Sequence, residues 1–183
     1  MRNRAYDLSN YAFTKEDVLL LDANVWLYLH PAPSGRVSPA VAPYSVAFGS
    51  MLAARARIMM DAIILSEYLN RYCRIEWAAQ YARRYPKFKA FRNSTDFLNV
   101  GSTAATLARL MLKKCELQDH PFASADLKTI LSNFENGTCD LNDGLIAHTC
   151  RKNGWKLVTN DSDLVDGGIE VLTVNRTLLR ACP

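Results

Sequence analysis

Asp22, Glu67, Asp143 and Asp161 are the residues whose type and setting could do chemistry. Asp22 ends the apolar run LLLD and is followed at once by Ala23 and Asn24. Glu67 lies inside AIILSEYLN, an otherwise apolar stretch where a buried, unpaired carboxylate would cost several kcal/mol or take up a proton. Asp143 comes three residues after Asp140 in CDLNDGLIAH, and Asp161 belongs to the polar run TNDSDL. Each has an ordinary role open to it. Glu67 suits a solvent-facing helix position with Asn70 and Arg71 for polar company. Asp143 suits the first turn of a helix, where the macrodipole favours negative charge, and Asp161 suits a turn. Asp22 has the weakest ordinary account, because any polar turn residue would serve there. The alternative is one shared site. Carboxylates held a few ångströms apart in a cleft repel one another and stay ionised only with cations between them. Oxygen donors without histidine or cysteine nearby suit Mg²⁺ or Mn²⁺ rather than Zn²⁺. Such ions lower the pKa of bound water and stabilise charge during in-line displacement at a phosphodiester. One ion or two remains open at this level.

The elements that must position these acids read as alternating strands and helices. Residues 18–21 form a buried strand with Asp22 at its C-terminal end, and Asn24 can cap a short helix to about residue 29. HPAPSGRVSPAVAPYS, with four prolines between Pro31 and Pro43, reads as a loop and suits a mobile flap. A helix over 44–55 and a strand over 57–60 follow. Asp61 then caps a helix with Ile64, Leu65, Tyr68 and Leu69 on its apolar side. Further helices are predicted over 75–84, stopped by Pro86, over 102–114 with Leu107, Leu110 and Met111 inward, and over 125–134. Asp140 caps a helix that Asn153-Gly154 ends. Strands over 155–159 and 170–174 complete the pattern. Strands alternating with helices imply a parallel sheet covered on both faces. Ligands bind such sheets beyond the carboxyl ends of the strands, which places Asp22 and Asp161 on one rim.

In this order LLLDANVW, DAIILSEYLNRY, CDLNDGLIAH and KLVTNDSDL resemble the PIN-domain nuclease family. They are similar in particular to its toxin branch, the VapC-like ribonucleases. The matching motifs are Asp22-Ala23-Asn24 after an apolar strand, Glu67 six residues past Asp61, Asp143-Gly144-Leu145-Ile146-Ala147, and Thr159, Asp161 and Asp163 after a strand. The resemblance covers about residues 18–174 of a single domain taken as 1–183. It implies an α/β fold, a Rossmann-like α/β/α sandwich around a central parallel sheet, and Mg²⁺- or Mn²⁺-dependent cleavage of RNA. It also implies roles. Asp22, Glu67 and Asp143 would be metal ligands, with Asp161 a fourth acid acting directly or through water. Asp140 and Asp163 would be accessory, while Asn24 and Thr159 would orient the carboxylates. The proline-rich loop is longer than the family pattern, and 87–101 matches none of its motifs.

Charge distribution bears on the partner. Residues 51–92 carry nine Lys/Arg against three Asp/Glu, and 135–170 carry seven acids against three bases. A basic flank beside an acidic cluster suits a polyanion drawn to a cation-holding centre, and equally suits two solvated surfaces. Arg71, Arg74, Arg83 and Arg84 are the RNA-binding candidates, joined by Lys87 and Lys89. Tyr72, Trp77, Tyr81 and Tyr85 interleave with them, either to stack on bases or to fill a core. Three scattered histidines argue against a histidine-pair mechanism, and five cysteines without a CxxC pair read as reduced thiols. No apolar run is long enough to span a bilayer and no apolar leader opens the chain, so no membrane is expected and the cytoplasm is the expected compartment.

Three functions follow as expectations. The first is a metal-dependent endoribonuclease, the toxin of a toxin–antitoxin pair, with RNA as substrate, a small antitoxin occluding the cleft, and a homodimer as a family-like assembly; a housekeeping PIN nuclease is its variant. The second is a PIN-like module that binds RNA or protein without turnover. The third is a metal-dependent phosphatase, a class that wants Asp-x-Asp where this chain has Asn24.

Overall fold

Leu19, Leu20 and Leu21 are all completely buried. Successive strand residues point to opposite faces of a sheet, so a sheet holding all three must be covered on both sides. The computed structural model, which describes residues 1–183, has this arrangement. Six strands form one sheet: β1 (Arg4–Asp7), β2 (Val18–Leu21), β3 (Arg57–Met60), β4 (Glu116–Leu117), β5 (Lys156–Val158) and β6 (Glu170–Thr173). Their order is β1-β6-β5-β2-β3-β4, and every adjacent pair is parallel. Helices α1 (Ala23–Leu29), α2 (Val41–Ala53), α3 (Ala62–Glu76), α4 (Phe88–Arg92), α5 (Phe97–Leu112), α6 (Leu127–Glu135), α7 (Leu141–Asn153) and α8 (Arg176–Ala181) flank it. The sheet is the covered parallel sheet that the alternating pattern implied, and the whole is the Rossmann-like α/β/α sandwich that the family resemblance implied. No helix is long and apolar enough to cross a membrane.

The strand order determines where a site can form. From β2 the chain moves outward through β3 to β4, then returns to lay β5 on the other side of β2. The loops leaving β2 and β5 therefore diverge, and a crevice opens between them at the carboxyl end of the sheet. Leu21 pairs with Val158 across β2 and β5, and the Asp22 amide donates to the Val158 carbonyl at 2.9 Å. Asp22 and Thr159 thus emerge side by side at the crevice.

Strands β2 and β3 fall where the apolar runs predicted them. β5 and β6 are shorter than predicted, and the Asp61 and Asp140 caps form: the side chains accept from the amides of Ile64 at 2.9 Å and Asp143 at 2.8 Å. Gly154 ends α7 at φ +67°, the left-handed conformation that favours glycine. Several expectations need correction. Asn24 does not cap α1; Asp22 occupies that position and Asn24 is buried inside the first turn. Helix α2 begins at Val41 and takes in Pro43, since first-turn amides have no helical partner and proline's missing N–H is no loss there. The helix expected over 75–84 is not separate: α3 runs on into a π-helical turn, Trp77–Tyr81, because no breaker intervenes. Helix α5 starts at Phe97 rather than residue 102, and Leu110 faces solvent while Met111 is buried. Edge strands β1 and β4 escaped prediction because they are short and bury little side chain.

The proline-rich loop is tied down at its start. The carboxylate of Glu76, itself buried, accepts from the Ser34 amide at 2.8 Å and the Ser34 hydroxyl at 3.0 Å. The Tyr68 hydroxyl donates to the His30 carbonyl at 3.0 Å. His30 and Ser34 therefore fasten the first part of the loop to α3.

Gly144 shows why α7 opens with a small residue. A Cβ there would stand 2.8 Å from Cγ2 of Ile130 on α6. Gly144→Ala should gain helix propensity of up to about 1 kcal/mol yet lower stability overall, because overpacking against a stiff β-branched side chain costs about 1–3 kcal/mol. The same change in an Ile130→Ala background should raise stability, a reversal of sign that thermal melts of the four proteins can read.

Candidate metal centre

Asp22 is positioned by the switch between β2 and β5. Its Oδ2 accepts from the Thr159 hydroxyl at 2.6 Å and from Asn24 Nδ2 at 2.6 Å. Asn24 Nδ2 also donates to Thr159 Oγ1 at 3.1 Å, and the Asn160 amide donates to Asn24 Oδ1 at 3.2 Å. All the side-chain bonds converge on one carboxylate oxygen, leaving Oδ1 without a side-chain partner. Burial raises the Asp22 pKa to about 6; the Thr159 bond works against this, and the charges of Glu67 and Asp161 reinforce it.

The other acids approach from three different elements. Glu67 projects from α3 and pairs with Arg71 one turn along, at 3.0 Å. Asp143 stands in the first turn of α7. A helix N-terminus should lower its pKa, yet it is raised to about 7. Burial is the first cause, followed by the charges of Asp140, Asp161, Asp22 and Glu67. Asp161 follows β5; its amide donates to Thr159 Oγ1 at 3.0 Å and its Oδ1 accepts from the Asp163 amide at 3.0 Å. Asp161 thus shapes the turn and faces the crevice as well. The four candidate acids, from segments up to 139 residues apart in number, lie within range of one another's charge.

Two clefts meet at the start of α7. One is lined by Asp140, Asp143, Asp161 and Asp163, and also by Asp166, which sequence reasoning counted among the acids but did not single out. Its DGG setting reads as a turn, and only the fold turns it toward the others. The second cleft is lined by Glu67, Asn70, Arg71, Arg74 and Asn142. Arg71 and Arg74 therefore border the acidic region. Arg83 and Arg84 do not line either cleft, and Arg84 pairs with Asp96 at 2.7 Å. The interleaved aromatic residues do not form a stacking platform. Tyr72 is buried, Tyr81 stacks on Phe91 with ring centroids 4.6 Å apart, and Trp77 packs edge-on to Phe88 at 5.7 Å. The aromatic ring faces are spent on the core, which is the physical reason they are not offered to bases.

No three Asp, Glu, His or Cys side chains converge closely enough to hold an ion as they lie. The donor chemistry nonetheless fits a hard divalent cation. The acids are all oxygen donors, and two of them carry raised pKa values that a cation would relieve. The one thiol in the acidic cleft, Cys139, is pushed up to about 11 by burial and neighbouring carboxylates, so it stays protonated and is no competing thiolate ligand. The histidines serve elsewhere: His120 Nδ1 contacts Asp61 Oδ2 at 3.1 Å and Thr149 Oγ1 at 3.2 Å, bracing the start of α3.

Thr159 is the joint of this centre, bonding Asp22, Asn24 and the Asp161 amide at once. Thr159→Val keeps the shape and removes all three bonds. It should lower stability by about 1–3 kcal/mol through the donors left unpaired, read by chemical denaturation, and cut any cation-dependent activity about 10- to 100-fold by freeing the Asp22 carboxylate.

Residues 19–169 match the sequence model of the PIN domain. Among solved structures, the fold is similar to a chain of VapBC2 from Rickettsia felis, crystallised bound to a DNA fragment from their promoter. That likeness has a TM-score of 0.52 at 15% identity, over 85% of this chain and 98% of that one. PAE2754 from Pyrobaculum aerophilum is also similar, at a TM-score of 0.47 and 16% identity over 90% of this chain and 95% of that one. No curated protein matches the sequence significantly.

Proposed function

Since the chain belongs to the PIN-domain family, we propose that it is a divalent-cation-dependent ribonuclease, an endonuclease that hydrolyses RNA phosphodiester bonds as the toxin of a toxin–antitoxin pair. One observation carries the reading. Asp22, Glu67, Asp143 and Asp161 lie within range of one another's charge, and burial, reinforced by those charges, raises Asp22 to about 6 and Asp143 to about 7. An acidic cluster with two raised carboxyls at the carboxyl end of a parallel sheet supports a cation site there.

In this reading Asp22, Glu67 and Asp143 would hold Mg²⁺ or Mn²⁺, with Asp161 directly or through water. The cation, when bound, supplies an activated water and neutralises charge building on the phosphoryl oxygens. The chain's own residues do the rest. Thr159 and Asn24 fix Asp22 by one oxygen and leave the other free. Asp140 caps α7 and so orients Asp143. Asp163 closes the turn that presents Asp161. Arg71 and Arg74 border the crevice and bind backbone phosphate. Arg71 must also release Glu67, so substrate phosphate and Glu67 compete for one guanidinium.

The toxin setting draws support from a neighbour of the same fold, whose structure holds a toxin–antitoxin complex on promoter DNA. Leu131, Phe134 and Leu141 are exposed, and Phe134 lines the acidic cleft; an antitoxin covering them would occlude the centre. Incubation of purified protein with single-stranded RNA and Mn²⁺, with and without EDTA, tests the nuclease. Cleavage that EDTA does not stop removes the cation from the account. The second reading, an RNA-binding module without turnover, draws on the Glu67–Arg71 pair and the lack of three converging ligands. Tight RNA binding with intact RNA in Mn²⁺ would favour it.

A further inference from the structure

Beside the acidic crevice, on the far side of Asn24, lies a slot that none of the assigned roles uses. It opens between the fastened loop and α3. Leu27, Pro31 and Ile75 give it apolar walls, Arg36 and Arg71 stand on its lining as cations, and Asn24 closes the end nearest Asp22. At about 210 Å³ it falls below the roughly 300–1,000 Å³ of sites that enclose a complete small ligand, so it seats one part of a larger ligand.

The walls are set rather than induced. Glu76 pins the loop through Ser34, and Gly35 lets it run close to α3: a Cβ there would meet the Ala32 carbonyl oxygen at 3.0 Å and Ile75 Cγ2 at 3.5 Å. Arg36 is exposed and has no acidic partner, so its charge is available to a ligand. Arg71 lines both this slot and the cleft of Glu67, so a ligand held here is continuous with the acidic centre. Apolar walls with guanidinium groups at hand suit a nucleobase attached to a phosphate.

We propose that this slot seats the base of a nucleotide next to the scissile phosphodiester, between Leu27, Pro31 and Ile75, with that nucleotide's phosphate at its mouth on Arg36 and Arg71. The inference rests on the ribonuclease reading for the word scissile, and on the slot alone for nucleotide binding. The loop that departs from the family pattern is then a substrate-selecting wall.

The test measures binding and cutting separately. Binding of a fluorescein-labelled single-stranded RNA of about a dozen nucleotides is followed by anisotropy in the Asp22→Asn background. Arg36→Ala should weaken it about ten-fold, the loss of one charged hydrogen bond, and reduce the salt slope by about 0.7. Arg36→Lys should restore part of the affinity. In the cutting protein, Arg36→Ala should raise KM more than it lowers kcat, and Leu27→Trp, which fills the slot, should change which positions in a mixed RNA pool are cut. Unchanged affinity and an unchanged cleavage pattern, from variants that melt like the parent, would overturn the slot while leaving the nuclease standing. RNA that binds through Arg36 but is never cut would do the reverse.

Discussion

Asp22→Asn should abolish cation-dependent RNA cleavage, by about 10³-fold or more, and leave the fold intact. The reason lies in how the carboxylate is held. Thr159 and Asn24 both donate to Oδ2, and the carbonyl oxygen of an asparagine can accept the same two bonds. What the substitution removes is the negative charge that a cation would need. Burial of that charge is unfavourable without a cation, so above pH 6 the variant should melt no lower than the parent. Loss of activity with an undiminished melting temperature separates a ligand from a structural residue. Asp143→Asn, on the opposite side of the crevice, should behave alike. Wild-type cleavage rates in both variants would end the proposal that these acids hold the reaction's cation.

The second large effect is a pH-dependent stabilisation by Mg²⁺ or Mn²⁺. Asp22 and Asp143 titrate near 6 and 7 in the fold, against 3.8 for an ordinary aspartate. Between about pH 4 and 7 the folded chain therefore holds more protons at these sites than the unfolded chain. Their contribution to stability is present at low pH and is lost as pH rises through the folded values. For buried Asp22 the difference between about 6 and 3.8 corresponds to about 3 kcal/mol at pH 8; Asp143 is more open and adds less. A cation that neutralises the pair should recover this. Millimolar Mn²⁺ should raise the melting temperature by several degrees at pH 8 and hardly at all at pH 5, where protons occupy the same oxygens. The double variant Asp22→Asn/Asp143→Asn should lose both the pH dependence and the response to Mn²⁺. A shift of equal size at pH 5 and pH 8, or one that survives in the double variant, would place the cation elsewhere.

Much of the candidate site was legible because its residues contrast with their surroundings. A carboxylate at the end of LLL and another inside AIILSEYLN stand out from the apolar residues around them, and both lie within range of the other acids' charge. Capping chemistry located α3 and α7 through Asp61 and Asp140, and with them Glu67 and Asp143. The aromatic residues between the arginines were not legible in this way. Alternation of Tyr, Trp and Arg along a helix fits a stacking surface and a buried face equally well, and only packing against Phe88 and Phe91 decides it.

The sequence by itself determined the alternation of strands and helices, hence a parallel sheet, and the type of each acidic residue with its place at a strand or helix end. These are local properties, set by apolar periodicity and by the few side chains that satisfy free backbone amides. Tertiary structure alone decided which ends meet. The return of β5 to the side of β2 away from β3 opened the crevice, set Thr159 beside Asp22, turned Asp166 toward the other acids and left Arg71 between Glu67 and the slot. No local signal encodes those meetings, because they depend on strand order, and strand order is chosen by how the whole sheet buries both of its faces.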